Sequence, residues 1–597
     1  MNSRRRVTLI VVTLALLGSV ALAQDLPLDP TELVYVAGSK DRMTWLPRPA
    51  AVSYGIYRGT ILGSGMPSGY RTYNHECVAS EVPGTSFIDS DEPEPGIAFY
   101  HLVTGLSVDA ATGAVAGGPP GFNSAGNPRP EGLASCGSRV FVDPDVVQRW
   151  GHTLPYTPTG RSWQFAYTSI SEALRHPQPD WRSREVWIRG TVVDPEVSTL
   201  PSGGRAFRLL GGFSGAEYLV WERRPQVHVT TWDGNGAGFI LNVEDGEERV
   251  LLDGLIMRNA ATGIGFSARE GRLTVRDVSF QSLTSRGISL VHMLGPAEMT
   301  LTVERSRFDA TMTNAISVQP NETQCQIRIA DCEFAGATGD IIRLASQALN
   351  GGASIHGDIV RNRFRGGLSA IAIDANYENC EDAESIVIDP VIAANEISET
   401  TGDAIRLNAT VSTCYFPQYA TREAVVSPTI VANTIVHPGG AGIACAAERT
   451  GPPALDQAWY KARCEPQVWD NLVTFAGGFA IAEGPDDPAT FLVADPRLVG
   501  NNLWGCARLY RDEGTTELTS IAEVNALPGA ADNWVADPLY RDLLAGDFRL
   551  QVGSPAIDRA HPECPSNPIL DVRRKVRGSD GDGDGVGRAE VGANELK

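Results

Sequence analysis

Two apolar markers recur in step over residues 280–481, and no other feature constrains the chain as strongly. The first marker is Phe280, Phe308, Phe334, Phe364, Ile397, Ile435 and Val473; the second is Ile288, Ile316, Ile342, Ile371, Ile405, Ile443 and Ile481. Successive first markers are 28, 26, 30, 33, 38 and 38 residues apart, yet the step from first to second is always 7 or 8. All variation in length therefore falls at one place, after the second marker. Stacked repeats keep the stacked part constant and let loops grow on one flank, so the spacing predicts a solenoid. Short β-branched runs such as Leu273-Thr274-Val275, Leu301-Thr302-Val303 and Ile327-Arg328-Ile329 lack a 3.6-residue period, which excludes helical repeats. Each strand of such a stack pairs with its equivalents about 4.8 Å above and below.

One column checks the register. Two residues before the first marker stand Val278, Ser306, Cys332, Asn362, Asn395, Asn433 and Asn471. Asn tolerates the left-handed backbone of tight turns. Stacked amides also satisfy each other's donors and acceptors, so these four read as an internal ladder. Cys332, in the same column, reads as a buried thiol; Cys325 is too far from it along an extended strand to bond it.

Residues 32–105 alternate apolar and polar over short runs with turns between, which predicts a small β-sandwich. Trp45, Tyr57 and Tyr100 there resemble the pattern of a fibronectin type III-like module, with Trp45 in its core. Residues 106–150, rich in Gly and Pro at first, read as a linker. Further on, Gly160 to Trp163, Ala166-Tyr167, Ile170, Ala173-Leu174, Glu185 to Gly190, Leu210 to Glu217, Trp221 to Arg224 and Trp232 to Gly234 form an opening segment. Asp537-Pro538, Asp547 to Leu550, Gly553 to Asp558 and Val591 to Glu595 close the chain. Together these stretches resemble secreted bacterial right-handed parallel β-helix proteins, of the polymorphic outer-membrane-protein-like and choice-of-anchor types. The resemblance implies an all-β chain: a right-handed parallel β-helix over 155–560, preceded by the sandwich and followed by an acidic segment, 561–597. Ile170 to His176 would cap the open end of the sheets. It does not imply a reaction, because the fold hosts lyases, glycosidases, adhesins and inert stalks.

Arg4, Arg5 and Arg6, the apolar run Val7 to Leu17 and the Ala21-Leu22-Ala23 site make residues 1–23 a secretory signal, too short to span a bilayer. The chain is expected outside the cell or on the outer surface of a Gram-negative-type bacterium, with no transmembrane segment. Its 71 acidic and 50 basic residues give −21; without the signal's three arginines the charge is −24. That balance excludes a nucleic-acid coat, which needs a basic face. Ten Cys in an exported chain predict disulfides, best paired as Cys380–Cys414, Cys445–Cys464, Cys506–Cys564 and Cys77–Cys136. Paired Cys/His zinc spacing, a phosphate loop and a Gly-x-Ser-x-Gly elbow are absent.

Three groups carry candidate chemistry. Gly339-Asp340-Ile341-Ile342-Arg343 and Gly402-Asp403-Ala404-Ile405-Arg406 repeat one motif two units apart, with Asp374 between. Stacking would set Asp340 and Asp403 about 10 Å apart, near the 6.5–9.5 Å of inverting glycosidases. The bland alternative has each Asp capping a turn and pairing with its neighbouring Arg. Second, loops 374–385, 406–424 and 444–464 leave equivalent positions and carry Tyr377, Tyr415, Phe416, Tyr419, Trp459 and Tyr460, suited to stacking on sugars or a protein, or else to packing on one another. Third, Asp580, Asp582 and Asp584 with Gly585 match the start of a calcium loop, but position 12 is Val591. The leading expectation is a binding or scaffold protein whose partner is an extracellular glycan or a cell-surface protein. It requires no cofactor, and Ca²⁺ is the one ion the acidic tail suits. The alternative is a polysaccharide lyase or inverting glycosidase using Asp340, Asp403, Asp374, Arg343 and Arg406.

Overall fold

The computed structural model describes most of residues 33–596, leaving aside 1–32, 63–75, 118–138, 378–384, 413–421, 452–459, several shorter stretches, Asp582, Asp584 and Lys597. The protein is all-β, dominated by two long sheets of 19 and 16 strands, parallel nearly throughout. From Thr231–Glu244 onward the chain alternates between them, and each strand bonds to its counterparts one unit before and after. This arrangement is consistent with a parallel β-solenoid. Among the described residues no helix is long and apolar enough to cross a membrane.

The repeat markers explain the register. Ile316, Ile342, Ile371, Ile405, Ile443 and Ile481 are successive strand partners, all buried. Phe280, Phe308, Phe334 and Phe364 form a second column, with rings stacked at 4.6, 4.9 and 4.7 Å. Those distances are the strand spacing itself, so one ring per unit fills the interior without gaps.

The asparagine ladder is present and longer than the marker spacing reveals. Asn362 Nδ2 donates to Asn395 Oδ1 at 3.1 Å, Asn395 to Asn433 at 2.9 Å, Asn433 to Asn471 at 3.0 Å, and the chain continues to Asn501 and Asn533. Each backbone N–H of Asn362, Asn395, Asn433 and Asn471 also donates to the next amide oxygen. Cys332 heads the column, its N–H on Asn362 Oδ1. One expectation needs correcting: the left-handed residue is the one before each Asn. Arg361, Ala394, Ala432 and Asp470 have φ between 52° and 58°. The amide holds the turn, and the residue ahead of it makes the bend.

At the start of the stack Ile170, Ala173 and Leu174 of the helix Ile170–Arg175 join the interior core, as a cap should. Arg184 Nη1 donates to the last carbonyls, Ala173 and Leu174, at 2.6 and 2.7 Å, where a cation suits the helix end. The stack begins earlier than residue 155: Arg139–Val142, inside the segment read as linker, pairs in parallel with Ser183–Ile188. Ahead of it, antiparallel sheets of three and four strands share the core Met43, Trp45, Tyr54, Ile56, Ala79, Val82, Phe87 and Val103.

The closing segment is not a free acidic tail. Val591, Phe548, Ile557 and Tyr540 pack on Val436 and Leu472 of the stack. Asn594 Nδ2 donates to Glu396 Oε1 at 2.8 Å, the Ala593 N–H to Thr434 Oγ1 at 2.9 Å, and Arg574 pairs with Asp331 at 3.0 Å. The His561 N–H lies 3.0 Å from both oxygens of Asp470, whose burial pushes its carboxyl up to about 6.

Candidate functional site

Along Ile342–Ala348, Ile371–Tyr377, Ile405–Ser412 and Ile443–Thr450, alternate residues point outward by the two-residue period of a strand. Register makes Arg343, Ala372, Arg406 and Ala444 one outward column, and Ala345, Asp374, Asn408 and Ala446 the next. Four charges gather here. Arg406 Nη2 donates to Asp340 Oδ2 at 3.0 Å and lies 3.6 Å from Asp374, while Arg343 Nε lies 3.4 Å from Asp374. The arginines are 37% and 43% exposed, the carboxylates 10% and 17%, so the acids form a floor and the guanidiniums a rim. Asp340 Oδ1 and Asn408 Oδ1 are buried with no hydrogen-bond partner. Small side chains at Ala345, Ala372, Ala444 and Ala446 keep the surrounding strip low.

Asp403 does not belong to this group. The turn register is as expected: Leu368 N–H donates to the Gly339 carbonyl and Gly402 N–H to that of Leu368, setting Asp340 and Asp403 two units apart. Their carboxylates, however, have separate partners. Asp403 Oδ1 accepts the Ala441 N–H at 2.7 Å and caps the next turn, where Gly440 leaves it room; a Cβ there would lie 2.4 Å from it. Asp340 is held by Arg406, not by Arg343 of its own motif. The ion-paired group on this face is therefore Asp340, Arg343, Asp374 and Arg406, whose charges balance, with Asp403 hydrogen-bonded apart from it. Such a set presents fixed donors and acceptors to hydroxyl groups and has no surplus charge for a polyanion.

Two of the six candidate binding aromatics are interior. Tyr377 and Tyr460 are both 0% exposed. The strands run further than the loop boundaries 374–385, 406–424 and 444–464 assume, so Tyr377 ends one strand and Tyr460 begins the strand Tyr460–Cys464. Arg422 lies over the Tyr460 ring at 5.4 Å and donates to its hydroxyl at 3.3 Å. Tyr415, Tyr419 and Trp459, with Phe416, lie outside the described residues; the strands that flank 413–421 and 452–459 are in register with those of the neighbouring units.

The described cysteines other than Cys77 are free thiols. Cys445 and Cys464 are buried in the same interior core and unbridged. Cys506 packs against the interior and Cys564 against Val431, Trp469 and Val499, in a different cluster, so the 506–564 bridge is not formed. Cys325 and Cys332 are buried, and desolvation pushes the Cys325 thiol up to about 12. The pairs Cys380–Cys414 and Cys77–Cys136 fall outside the described residues or side chains.

Asp580 spends its carboxylate on its own loop: Gly583 and Gly585 N–H groups donate to it at 2.6 and 2.9 Å. Asp582 and Asp584 lie outside the described residues, among which no group of three His, Cys, Asp or Glu is arranged to hold a metal.

Sequence reasoning missed Glu483. It stands inward at the end of the column Leu344, Ile373, Leu407, Cys445, and burial pushes it up to about 8 although it accepts from the Tyr510 hydroxyl and the Glu513 N–H. The signal was available: two residues after each Ile marker the chain is apolar until Ile481, where that place is taken by an acid.

No known protein family and no curated protein matches the chain.

Proposed function

We propose that this chain is an exported or surface-displayed right-handed parallel β-helix, preceded by a fibronectin type III-like sandwich, that acts by binding a neutral glycan along its outer strip. The observation that carries the reading is the charge-balanced quartet Asp340, Arg343, Asp374 and Arg406, set among alanines with Asn408 beside it. Planar carboxylate, amide and guanidinium groups held by a rigid sheet suit pairs of vicinal hydroxyls, and the strand spacing of about 4.8 Å is of the order of one sugar ring. Sugar rings lying across successive strands would meet the same kinds of group at each step. The insertions between these strands contain Tyr415, Tyr419 and Trp459, aromatic side chains of the kind that would supply stacking faces. A net charge of −21 for the whole chain disfavours acidic polymers. The cleaving alternative would require Asp340 and Asp403 to act together, and each carboxylate is held by a different partner, Arg406 and the Ala441 N–H.

The test is retention on a glycan array spanning neutral glucans, mannans, xylans and uronate polymers, followed by titration of the best ligand. Retention of neutral glycans, weakened about tenfold or more in both Arg406→Ala and Asp374→Ala, is the expected result. Binding unchanged by both substitutions, or preference for uronates, would overturn it.

A further inference from the structure

Beyond the quartet the outer strip changes character. Register carries the column Arg343, Ala372, Arg406 and Ala444 on to Ala482 and Arg511. Here an apolar cluster forms that is separate from the interior core: Ala441, Phe479 and Ala482, with Ala444 packed against them. The interior at this level is already filled by Ala480 and Ile481, so the Phe479 ring is not needed there. It stands among alanines, with Arg406 on one side of the cluster and Arg508 and Arg511 on the other. Phe479 is 8% exposed; the Arg508 guanidinium lies over its ring at 4.4 Å and that of Arg511 at 5.5 Å. Arg508 also donates to Glu517 at 3.3 Å, and these two side chains are 39% and 52% exposed. An ion pair so exposed contributes little, so the cover over the ring is easily moved. Arg511 Nε is buried without a hydrogen-bond partner.

We propose that Phe479 is the stacking platform at one end of the glycan strip, and that the strip takes an unbranched neutral oligosaccharide of about five pyranose units, laid along the stack from Arg343 to Phe479. The proposal rests on the glycan reading above and gives it a length, a direction and an aromatic end. Ala482, beside Phe479, is four strand steps from Arg343, about 19 Å, and two from Arg406, about 10 Å. With roughly one ring per strand step, rings over Arg343, Asp374 and Arg406 meet the quartet. The next crosses Ala444, where a small side chain leaves room for it. The last lies against Phe479. A pyranose whose hydroxyls are equatorial turns a C–H face to the phenyl ring, while its hydroxyl edge meets Arg511. Its arrival moves Arg508 off the ring, at the cost of one exposed ion pair with Glu517. A branch or an axial hydroxyl on that face would hold the sugar away from the ring.

The experiment is calorimetric titration of the full chain with cello- and xylo-oligosaccharides from dimer to octamer. Affinity should rise with each added unit up to about five and then level off. Phe479→Ala should weaken the pentamer about tenfold, the scale of one aromatic contact, and leave the trimer within about twofold. Phe479→Trp should restore the pentamer, and Arg508→Ala, which uncovers the ring, should tighten it about threefold. The Phe479→Ala effect is read as a ratio of pentamer to trimer on one sample, so a partly unfolded variant, which lowers both alike, does not imitate it. Affinity that levels off at the trimer in the parent, or an unchanged ratio in Phe479→Ala, would refute the Phe479 subsite and leave the quartet's part standing. Weaker pentamer binding in Arg508→Ala would refute the displacement of that side chain. Should neither series bind while the array retains another neutral glycan, the unbranched equatorial chain is refuted; an array that retains no neutral glycan refutes the glycan reading itself.

Discussion

Asn433→Ala removes one amide from the middle of the ladder, and its consequence can be worked from the bonds it makes. Asn433 Oδ1 accepts from both the backbone N–H and the Nδ2 of Asn395, at 3.0 and 2.9 Å, and its own Nδ2 donates to the Ile392 carbonyl at 2.8 Å. All of these groups lie in residues that are 0% exposed. Alanine therefore orphans two donors and one acceptor where water has no access, besides leaving a cavity. At roughly 1–3 kcal/mol per unsatisfied group, with partial relaxation, the loss is about 4 kcal/mol. The control is Asn408→Ala on the outer strip, a half-buried amide whose Oδ1 has no partner to leave behind, so its removal should cost less than about 1 kcal/mol. Equilibrium urea unfolding gives the total. Hydrogen exchange gives the location, because in a stack each unit touches only its neighbours. Protection should fall in the units around Asn395 and Asn471 and persist near the Ile170–Arg175 cap. A loss below about 1 kcal/mol, or one no larger than that of Asn408→Ala, would refute the claim that the ladder is a load of shared buried hydrogen bonds.

The stability of this chain should decline as pH rises through the range where buried carboxyls ionise. Burial raises Asp470 to about 6 and Glu483 to about 8, so their contribution is full below about 4 and is lost as pH climbs through those values. At about 1.4 kcal/mol per unit, Glu483 accounts for a loss on the order of 4 kcal/mol between pH 4.5 and 8, and Glu483→Gln should flatten the profile of the urea midpoint; a midpoint rising over that range would contradict this. Tyr460→Ala, in the interior, should cost about 4 kcal/mol in the same assay while leaving the affinity for a glycan found on the array within twofold; a large affinity loss at unchanged stability would return Tyr460 to the binding surface.

The interior was largely legible in the sequence because a stack demands the same kind of residue at the same place in every unit. Ile288 to Ile481 and Asn362 to Asn471 are visible without any structure for that reason. The column escaped notice at Asn501 and Asn533 because the Ile marker gives way to Tyr510 in the following unit. Tyr377 was readable as interior from Ile371, Ile373 and Ala375, whose two-residue alternation it continues, and Tyr460 from Ala462 and Cys464. Both read as loop residues in the sequence because long insertions follow or precede them. The outer strip was less legible. Side chains there choose partners across units, and the bond from Arg406 to Asp340 spans 66 residues of sequence, which no local motif encodes. The closing segment shows the same limit: its acidic composition suggests a solvated tail, whereas Ala593, Asn594 and Arg574 are tied to groups on three different units.

Stacking itself is tested most directly by a distance between residues remote in sequence. Asn376, Thr410 and Glu448 are successive strand partners on the outer face, so nitroxide labels at Asn376→Cys and Glu448→Cys should sit two strand spacings apart, about 10 Å. Strong dipolar broadening in the continuous-wave spin-resonance spectrum, lost when the chain is unfolded in urea, is the expected result. A spectrum equal to the sum of the two singly labelled proteins would contradict the stacked register, and with it the strip on which the proposed function rests.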